Sequence, residues 1–330
     1  MKVLVCGGAG YVGAHTCLRL FEAGFEPVVY DNLSNGWGSS VRWGPFEDGD
    51  ICDLHRLSEV FEQHRPAAVI HFAALIEVGE SVLRPGAFFR TNVAGSLGLI
   101  DMAQKHGVQA FVFSSTCATY GEPARLPLDE THPQEPVNPY GRSKLMVEQA
   151  LAEYDRWMGF RSVCLRYFNA AGADPEGRIG ERHEPETHAI PLAIDAALGR
   201  RAGFTLFGTD YDTRDGTAVR DYVHVLDLAD AHVRALRYLL DGGKSEAINL
   251  GTGTGTSVRE LIRAIEAVSG KPFPVKTTER RAGDAAVLVA DNKKARTVLG
   301  WEPQFNLEDI VKTAWAWHAE HLPRLNDAGR

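Results

Sequence analysis

KVLVCGGAGYVGAHTCLRLFEAG, residues 2 to 24, passes from a β-branched apolar run into a helical pattern through three evenly spaced glycines, Gly7, Gly10 and Gly13. Strand, glycine turn and helix in that order make a phosphate-binding unit. The glycines permit a tight turn and close backbone approach. The helix N-terminus offers N–H groups and the positive end of its dipole to a pyrophosphate. The next strand pattern, EPVVYDN, reaches Asp31, 18 residues beyond Gly13. A carboxylate there accepts hydrogen bonds from an adenosine ribose diol and repels a 2′-phosphate, so the cofactor expected is NAD rather than NADP.

Beyond this unit the runs AAVIHFAA, AFVFSST and SVCLRYFN alternate with stretches of helical spacing. Such alternation argues for a parallel sheet covered on both faces, a Rossmann-type doubly wound α/β fold. From about Gly172 to Gly216 the chain turns irregular, and GADPEGRIGERHEPETHAIP, rich in Gly, Pro and charge, reads as a loop-rich insertion. The expected division is a cofactor-binding domain over 1–171 and a smaller C-terminal substrate-binding lobe over 172–330. Segments near 218–256, among them the helical VHVLDLADAHVRALRYLL, should return to the first domain.

The 330 residues suffice for such an arrangement, and 44% hydrophobic with 24% charged residues is ordinary for a globular chain. A formal net charge of −8 argues against nucleic acid as the main partner. No apolar run has the length a membrane span needs, and the apolar start is too short for a signal peptide. Five cysteines (Cys6, Cys17, Cys52, Cys117 and Cys164) form no close pair, which fits a reducing cytoplasm and predicts no metal site.

NPYGRSK, residues 138 to 144, carries the chemistry. Asn138 is a good N-cap and Pro139 a good first helical residue. Val147, Leu151, Tyr154 and Met158 follow at helical spacing, and the same stripe extended backward meets Lys144 and Tyr140. A buried ammonium is costly unless it has a task. Beside a tyrosine it favours the phenolate, as does the helix N-terminus. A tyrosine titrates near 10, so work near neutrality needs a shift of about three units, roughly 4 kcal/mol. Desolvation opposes that shift, so the lysine and a cationic cofactor ring together must outweigh it. A phenolate so placed can take a hydroxyl proton while hydride leaves the same carbon. Upstream, FVFSSTCATYG ends a strand in hydroxyls that can bond the reacting oxygen, and spacing alone does not choose among Ser114, Ser115 and Thr116.

These motifs, with VYDNLSNG, VIHFAALIEVGES, LRYFNAAGA, VRDYVHVLDLADAHV, NLGTGTGTSV and RRAGD in order along nearly the whole chain, resemble the extended short-chain dehydrogenases/reductases, and within them the UDP-glucose 4-epimerases. RIGERHEPETHAIPLAIDAALG further resembles the bacterial members that supply exopolysaccharide synthesis. The resemblance implies interconversion of UDP-galactose and UDP-glucose, a step of galactose metabolism. Tyr140 would be the base, Lys144 its cationic partner and Thr116 the hydroxyl assisting it. Cofactor-lining positions would be Gly7, Gly10, Tyr11, Val12, Gly13, Asp31, Asn32, Asn35, Gly36, Asp50, Ile51, Phe72, Ala73, Ala74, Asn92, Ser114 and Tyr167, with Tyr140 and Lys144. The UDP-sugar would meet Thr116, Tyr140, Asn169, His188, Ala189, Phe207, Arg220, Tyr222, Arg281, Asp284 and Leu288, which makes the lobe over 172–330 a UDP-sugar-binding lobe.

Two positions depart from the family pattern: Ile76 stands where many members carry a cofactor-side lysine, and His188 where many carry an asparagine on the uridine side. The family also implies a homodimer built from helices near residues 87–106 and 139–158. At Leu288 the family sets pocket volume: a tyrosine there excludes a 2-acetamido group and a small residue admits it. Leucine predicts measurable but weaker conversion of UDP-GlcNAc, although the same residue in VLVA reads equally as core packing.

Related sugar-nucleotide 4,6-dehydratases carry an Asp-Glu pair just after the catalytic Ser/Thr; here Cys117 and Ala118 follow, and neither can do that acid–base work. A non-catalytic NAD-sensing module need not keep Tyr140 and Lys144. A 4-epimerase preferring UDP-pentoses or UDP-N-acetylhexosamines is the alternative within the chemistry. GTGTGT, residues 251 to 256, imitates a phosphate loop but precedes Ser257-x-x-Glu260, a capping box, and reads as structural. His183 and His188, near Glu184 and Glu186, lack helical register and read as loop residues. WAWH near the C-terminus reads as core.

Overall fold

The computed structural model describes residues 1–281 and 283–323. Strand β1 (Lys2–Cys6), helix α1 (Tyr11–Glu22), β2 (Glu26–Asp31), β3 (Phe46–Asp48), α2 (Leu54–His64) and β4 (Ala68–His71) open the chain. Two short helices, α3 (Val78–Leu83) and α4 (Pro85–Phe88), lead through a wide helical stretch into α5 (Ser96–Lys105). Then come β5 (Ala110–Thr116), α6 (Pro139–Met158), β6 (Ser162–Tyr167) and β7 (Asn169–Ala171). The insertion carries α7 (Ala189–Ala197), β8 (Phe204–Phe207), β9 (Val219–Arg220) and β10 (Tyr222–His224) before α8 (Val225–Leu240) and β11 (Glu246–Leu250). The last elements are β12 (Thr256–Ser257), α9 (Val258–Ser269), β13 (Val275–Thr278), β14 (Val287–Leu288), α10 (Lys293–Leu299) and α11 (Leu307–Ala316).

Seven strands form one sheet in the order β11-β6-β5-β4-β1-β2-β3, and every neighbouring pair is parallel. Alternation within β1 explains why it is apolar throughout: Val3 and Val5 enter the core on one face, Leu4 and Cys6 that on the other. The first face is covered by α1, α8 and α10, through Cys17, Leu20, Leu228, Leu236 and Leu299. The second is covered by α2, α5 and α6, through Phe61, Leu99, Ile100, Val147 and Leu151. A separate core joins α7, α9 and α11 around Ile194, Leu261, Ile265 and Ile310. The strand order reverses between β1 and β4, and that reversal opens the crevice where ligands of such sheets bind.

The edge strand β3 went unread in the sequence because only three residues pair. Ala295, Leu299 and Trp301 lie in the sheet core, so the chain beyond 256 also returns to the sheet. Met158 ends the expected α6 stripe but is exposed, since Gly159 closes the helix in a left-handed cap immediately after it. Trp317 is buried, with its indole N–H donating to Glu181 O at 2.8 Å, in keeping with a core reading of WAWH. Among the described residues no helix is long and apolar enough to cross a membrane.

Candidate active site at the strand reversal

Gly7 follows β1 directly, with φ +81°. A Cβ there would lie 2.5 Å from Ala73 N, and one on Gly13 would lie 2.1 Å from Gly7 O. Neither position tolerates a side chain, and the backbone of the turn is left bare. Helix α1 starts behind Gly10, which caps it without a side chain, and no acidic residue lies in its first turn. The N-terminal turn of α1 therefore carries no acidic residue of its own, and its N–H groups make an electropositive end suited to a pyrophosphate. Asp31 ends β2, and its carboxylate accepts from Ala9 N at 3.0 Å and Leu33 N at 2.8 Å, which ties the glycine turn to the position expected to read a ribose. Burial pushes the Asp31 carboxyl up, and those two N–H groups counter it.

Around this turn several expected cofactor residues do their visible work through other contacts. Asn92 spends its amide on Leu75 N, Leu75 O and Ser143 Oγ, at 2.8, 2.9 and 3.1 Å, so it holds the loop after β4 against α6. Phe72 turns its ring onto His232, with centroids 4.7 Å apart, and Ile51 lies in the sheet core. Any ligand contact at these two is left to backbone or to side-chain edges. Asn32 Nδ2 donates to Asp50 Oδ2 at 2.9 Å, pairing two expected residues at the ends of adjacent strands. Gly36 packs on Ala9, where a Cβ would approach to 2.9 Å, and Asn35 reaches toward Glu77. Ile76 donates its N–H to Glu77.

Helix α6 begins as read: Asn138 accepts from Gly141 N at 2.8 Å and Pro139 is the first helical residue. Gly141 is needed for approach rather than conformation, since a Cβ there would lie 2.4 Å from Ala118 O. That closeness sets Tyr140 beside Thr116, whose hydroxyl favours the phenolate. Lys144, buried at 3% exposure, donates to Ser114 O at 3.0 Å and sits 4.9 Å above the Phe113 ring. Burial pushes its ammonium down to about 7, while Glu148 pulls it back up. Burial and the neighbouring Tyr167 push the phenol up and the Thr116 hydroxyl pulls it down, the opposition by desolvation that Lys144 and a cationic cofactor ring together would have to outweigh.

The three hydroxyls of β5 divide. Ser114 Oγ pairs with Tyr167 OH at 2.6 Å, Ser115 Oγ donates to Glu148, and Thr116 meets Tyr140. Strand alternation, which puts Ser115 opposite Ser114 and Thr116, was the signal that could have removed Ser115. The sequence reading missed what lies behind: Glu148 receives Arg166 at 2.6 to 3.1 Å, Arg166 donates to Tyr120 OH at 2.9 Å, and Tyr120 donates to Asn249 at 2.7 Å, all of them buried.

The second ligand's expected residues gather at a neighbouring rim. Register pairs Leu288 with Arg220 and Asn169 with Tyr222. Arg220 donates to Val219 O and Ala285 O at 2.9 Å and lies 3.7 Å from Asp284, while Arg281 stacks on Phe207 at 3.8 Å. Leu288 packs at the edge of a cluster of Tyr120, Leu128, Phe168 and Ala290. Asp221, missed in the sequence, is fully buried and accepts from Thr252 N, Thr252 Oγ1, Gly253 N and Ala290 N. Two N–H groups of GTGTGT, those of Thr252 and Gly253, are thus taken by a carboxylate, and the Ser257–Glu260 capping box is formed. His188 caps α7 one residue before Ala189 and gives Nδ1 to Glu186 at 2.9 Å and Glu181 at 3.1 Å.

The sequence profile of the NAD dependent epimerase/dehydratase family matches residues 3–251. The chain is 67% identical, over 96% of its length and 97% of the relative's, to a UDP-glucose 4-epimerase of Rhizobium leguminosarum bv. trifolii. Among solved structures it resembles the UDP-glucose 4-epimerase from Brucella ovis in complex with NAD, with 51% identity, a TM-score of 0.93, and 95% and 97% of the two chains covered. It also resembles the Stenotrophomonas maltophila enzyme with bound NAD and formylated UDP-arabinopyranose, with 40% identity, a TM-score of 0.95 and complete coverage of both chains. A bare glycine turn at the strand reversal, a Tyr-Lys helix beside it and these matches agree: the chain belongs to the NAD-dependent epimerase/dehydratase family.

Proposed function

We propose that the chain is a UDP-glucose 4-epimerase that interconverts UDP-galactose and UDP-glucose by transient oxidation at sugar C4, with tightly held NAD. The observation that carries this reading is Tyr140 beside Thr116, one helical turn from buried Lys144, next to the bare glycine turn. Gly7, Gly10, Gly13, Tyr11 and Val12 would hold the pyrophosphate of NAD and Asp31 its ribose, and the bound cofactor would supply a reversible hydride acceptor for the sugar carbon. Tyr140 takes the proton of the 4-hydroxyl and gives it back. Thr116 orients the phenol. Lys144, anchored on Ser114 O, supplies positive charge below it. Burial opposes ionisation of the phenol, so Lys144 and the positive charge of a bound nicotinamide ring would together favour the phenolate.

Arg220 and Arg281 lie at the rim with Asn169, Phe207, Tyr222 and Asp284 and suit a UDP group, which keeps the sugar in place while it turns. The sheet with its returning segments forms the nucleotide unit, and the α7–α9–α11 core forms the UDP-sugar lobe. We also read the chain as a homodimer. The helices near 87–106 and 139–158 would form it, and Met146, Trp157 and Met158 on α6 are exposed apolar side chains that a second copy would cover.

Tyr140→Phe should retain NAD, released on heat denaturation, while turnover falls at least about 100-fold, the lower range for losing an acid–base group; near-normal turnover removes Tyr140 from the chemistry. Lys144 gives a pH signature in protein stripped of nucleotide. Its folded pKa lies below its unfolded one, so the folded form binds fewer protons between about 7 and 10.5, and stability rises with pH across that window. The melting temperature of wild type should therefore gain on Lys144→Met from pH 7 to 10, and a constant gap would contradict the buried charge. Leu288→Tyr should reduce a measurable but weak conversion of UDP-GlcNAc while largely sparing UDP-glucose, and equal handling by both proteins would mean that Leu288 is packing only. Light scattering at micromolar concentration should give twice the 36.2 kDa chain mass, and a monomer would refute the dimer.

A further inference from the structure

The segment between Gly180 and α7 folds back on itself and gathers Glu181, His183, Glu186 and His188, whose candidate ligand atoms all lie within 4.8 Å of one another. The fourth member is buried Glu181 rather than the Glu184 that neighbours His183 in sequence. Four nitrogen–oxygen distances define the cluster. His183 Nδ1 stands 3.4 Å from Glu181 Oε1 and 3.6 Å from Glu186 Oε2, and His188 Nδ1 stands 3.1 Å from Glu181 Oε1 and 2.9 Å from Glu186 Oε1. A tetrahedral zinc ion with bonds of about 2.0–2.2 Å has ligand–ligand edges of roughly 3.3–3.5 Å. Three of the observed edges, 3.1, 3.4 and 3.6 Å, join His188 Nδ1, Glu181 Oε1, His183 Nδ1 and Glu186 Oε2 and lie near that length, and the fourth distance ends on the other Glu186 oxygen.

His183 supplies the second observation. Its Nδ1 is buried and has no hydrogen-bond partner among the described residues, although two carboxylate oxygens flank it almost equally. One ring N–H points in one direction and cannot serve both, whereas an ion between the oxygens would meet the ring lone pair and both carboxylates together. The frame is already rigid. Trp317 donates to Glu181 O at 2.8 Å, Trp37 donates to Arg182 O at 3.1 Å, and Glu186 Oε1 accepts from the N–H groups of Thr187 and His188 at 2.8 Å. Glu186 Oε2 is left to face His183.

We propose that Glu181, His183, Glu186 and His188 bind one divalent transition-metal ion of the zinc class, through the two imidazole Nδ1 atoms and one oxygen of each carboxylate. Two neutral imidazoles and two carboxylates match the borderline softness of zinc and leave the site without net charge. Four protein ligands close the coordination sphere, so the ion is structural. It would fasten the segment leading into α7, whose N-cap is His188, beside the Tyr11 ring that lies 6.3 Å from His183 at the start of α1. The imidazole protons present in the metal-free cluster leave as the ion enters. This proposal stands apart from the assignment of Tyr140 and its reaction.

Untagged protein stripped with EDTA should take up one Zn²⁺ per chain in calorimetric titration, with a raised melting temperature. Co²⁺ in place of Zn²⁺ should give the intense visible absorption of a four-coordinate ion in wild type. His183→Asn should weaken Zn²⁺ binding about 100-fold or more. Absence of saturable Zn²⁺ uptake, a weak six-coordinate Co²⁺ spectrum, or unchanged uptake in His183→Asn would each reduce the cluster to ion pairs and overturn the site. The Co²⁺ spectrum needs only the wild-type chain, so it decides the matter even if the variant fails to fold.

Discussion

A lysine ammonium is carried into the core on α6, and much of the surrounding structure exists to make that tolerable. Lys144 has one carbonyl, Ser114 O, one aromatic face, Phe113, and a carboxylate one turn further along the helix, Glu148. Glu148 cannot be left as a lone buried anion, and Arg166 from β6 meets it with three short hydrogen bonds. Arg166 in turn leans on Tyr120, and Tyr120 on Asn249 of β11. The chain of charges and dipoles runs from the helix across three adjacent strands, β5, β6 and β11, and locks their mutual placement. Stability alone would favour apolar residues here, and what the network secures is one position for the ammonium.

The glycine turn imposes the complementary constraint, a place where side chains are forbidden. Gly7 touches the backbone after β4 and Gly13 touches Gly7, so the three segments close on each other at van der Waals distance. The strand order reverses at the same point. A bare electropositive helix end and a deeply anchored lysine thereby face the same crevice, although 130 residues separate them in the chain.

Local rules carried most of what was legible in the sequence. Asn138, Pro139, Tyr140 and Lys144 could be placed because capping and the spacing of four residues are properties of a single helix. Ser257 and Glu260 were readable as a cap for the same reason, and Asp221, the reason GTGTGT is not a phosphate loop, was not. Its donors come from loops 31 and 69 residues away. The Glu148–Arg166–Tyr120–Asn249 network hid in the same way, since no pattern in one segment announces a partner in another.

The irregular insertion is where local rules stop altogether. Between Gly172 and α7 the described backbone has no regular helix or strand, and fixed points come instead from indole N–H groups reaching in from Trp37 and Trp317 to carbonyls of residues 182 and 181. Those two tryptophans lie at opposite ends of the chain, one beside the glycine turn and one after α11. A segment pinned at adjacent peptides from both sides keeps a single shape without a ladder of its own, and side chains on it can converge as four of them do. Order here is imported from Trp37 beside the glycine turn and Trp317 after α11, so the position of α7 relative to α1 is set by tertiary contact rather than by local propensity.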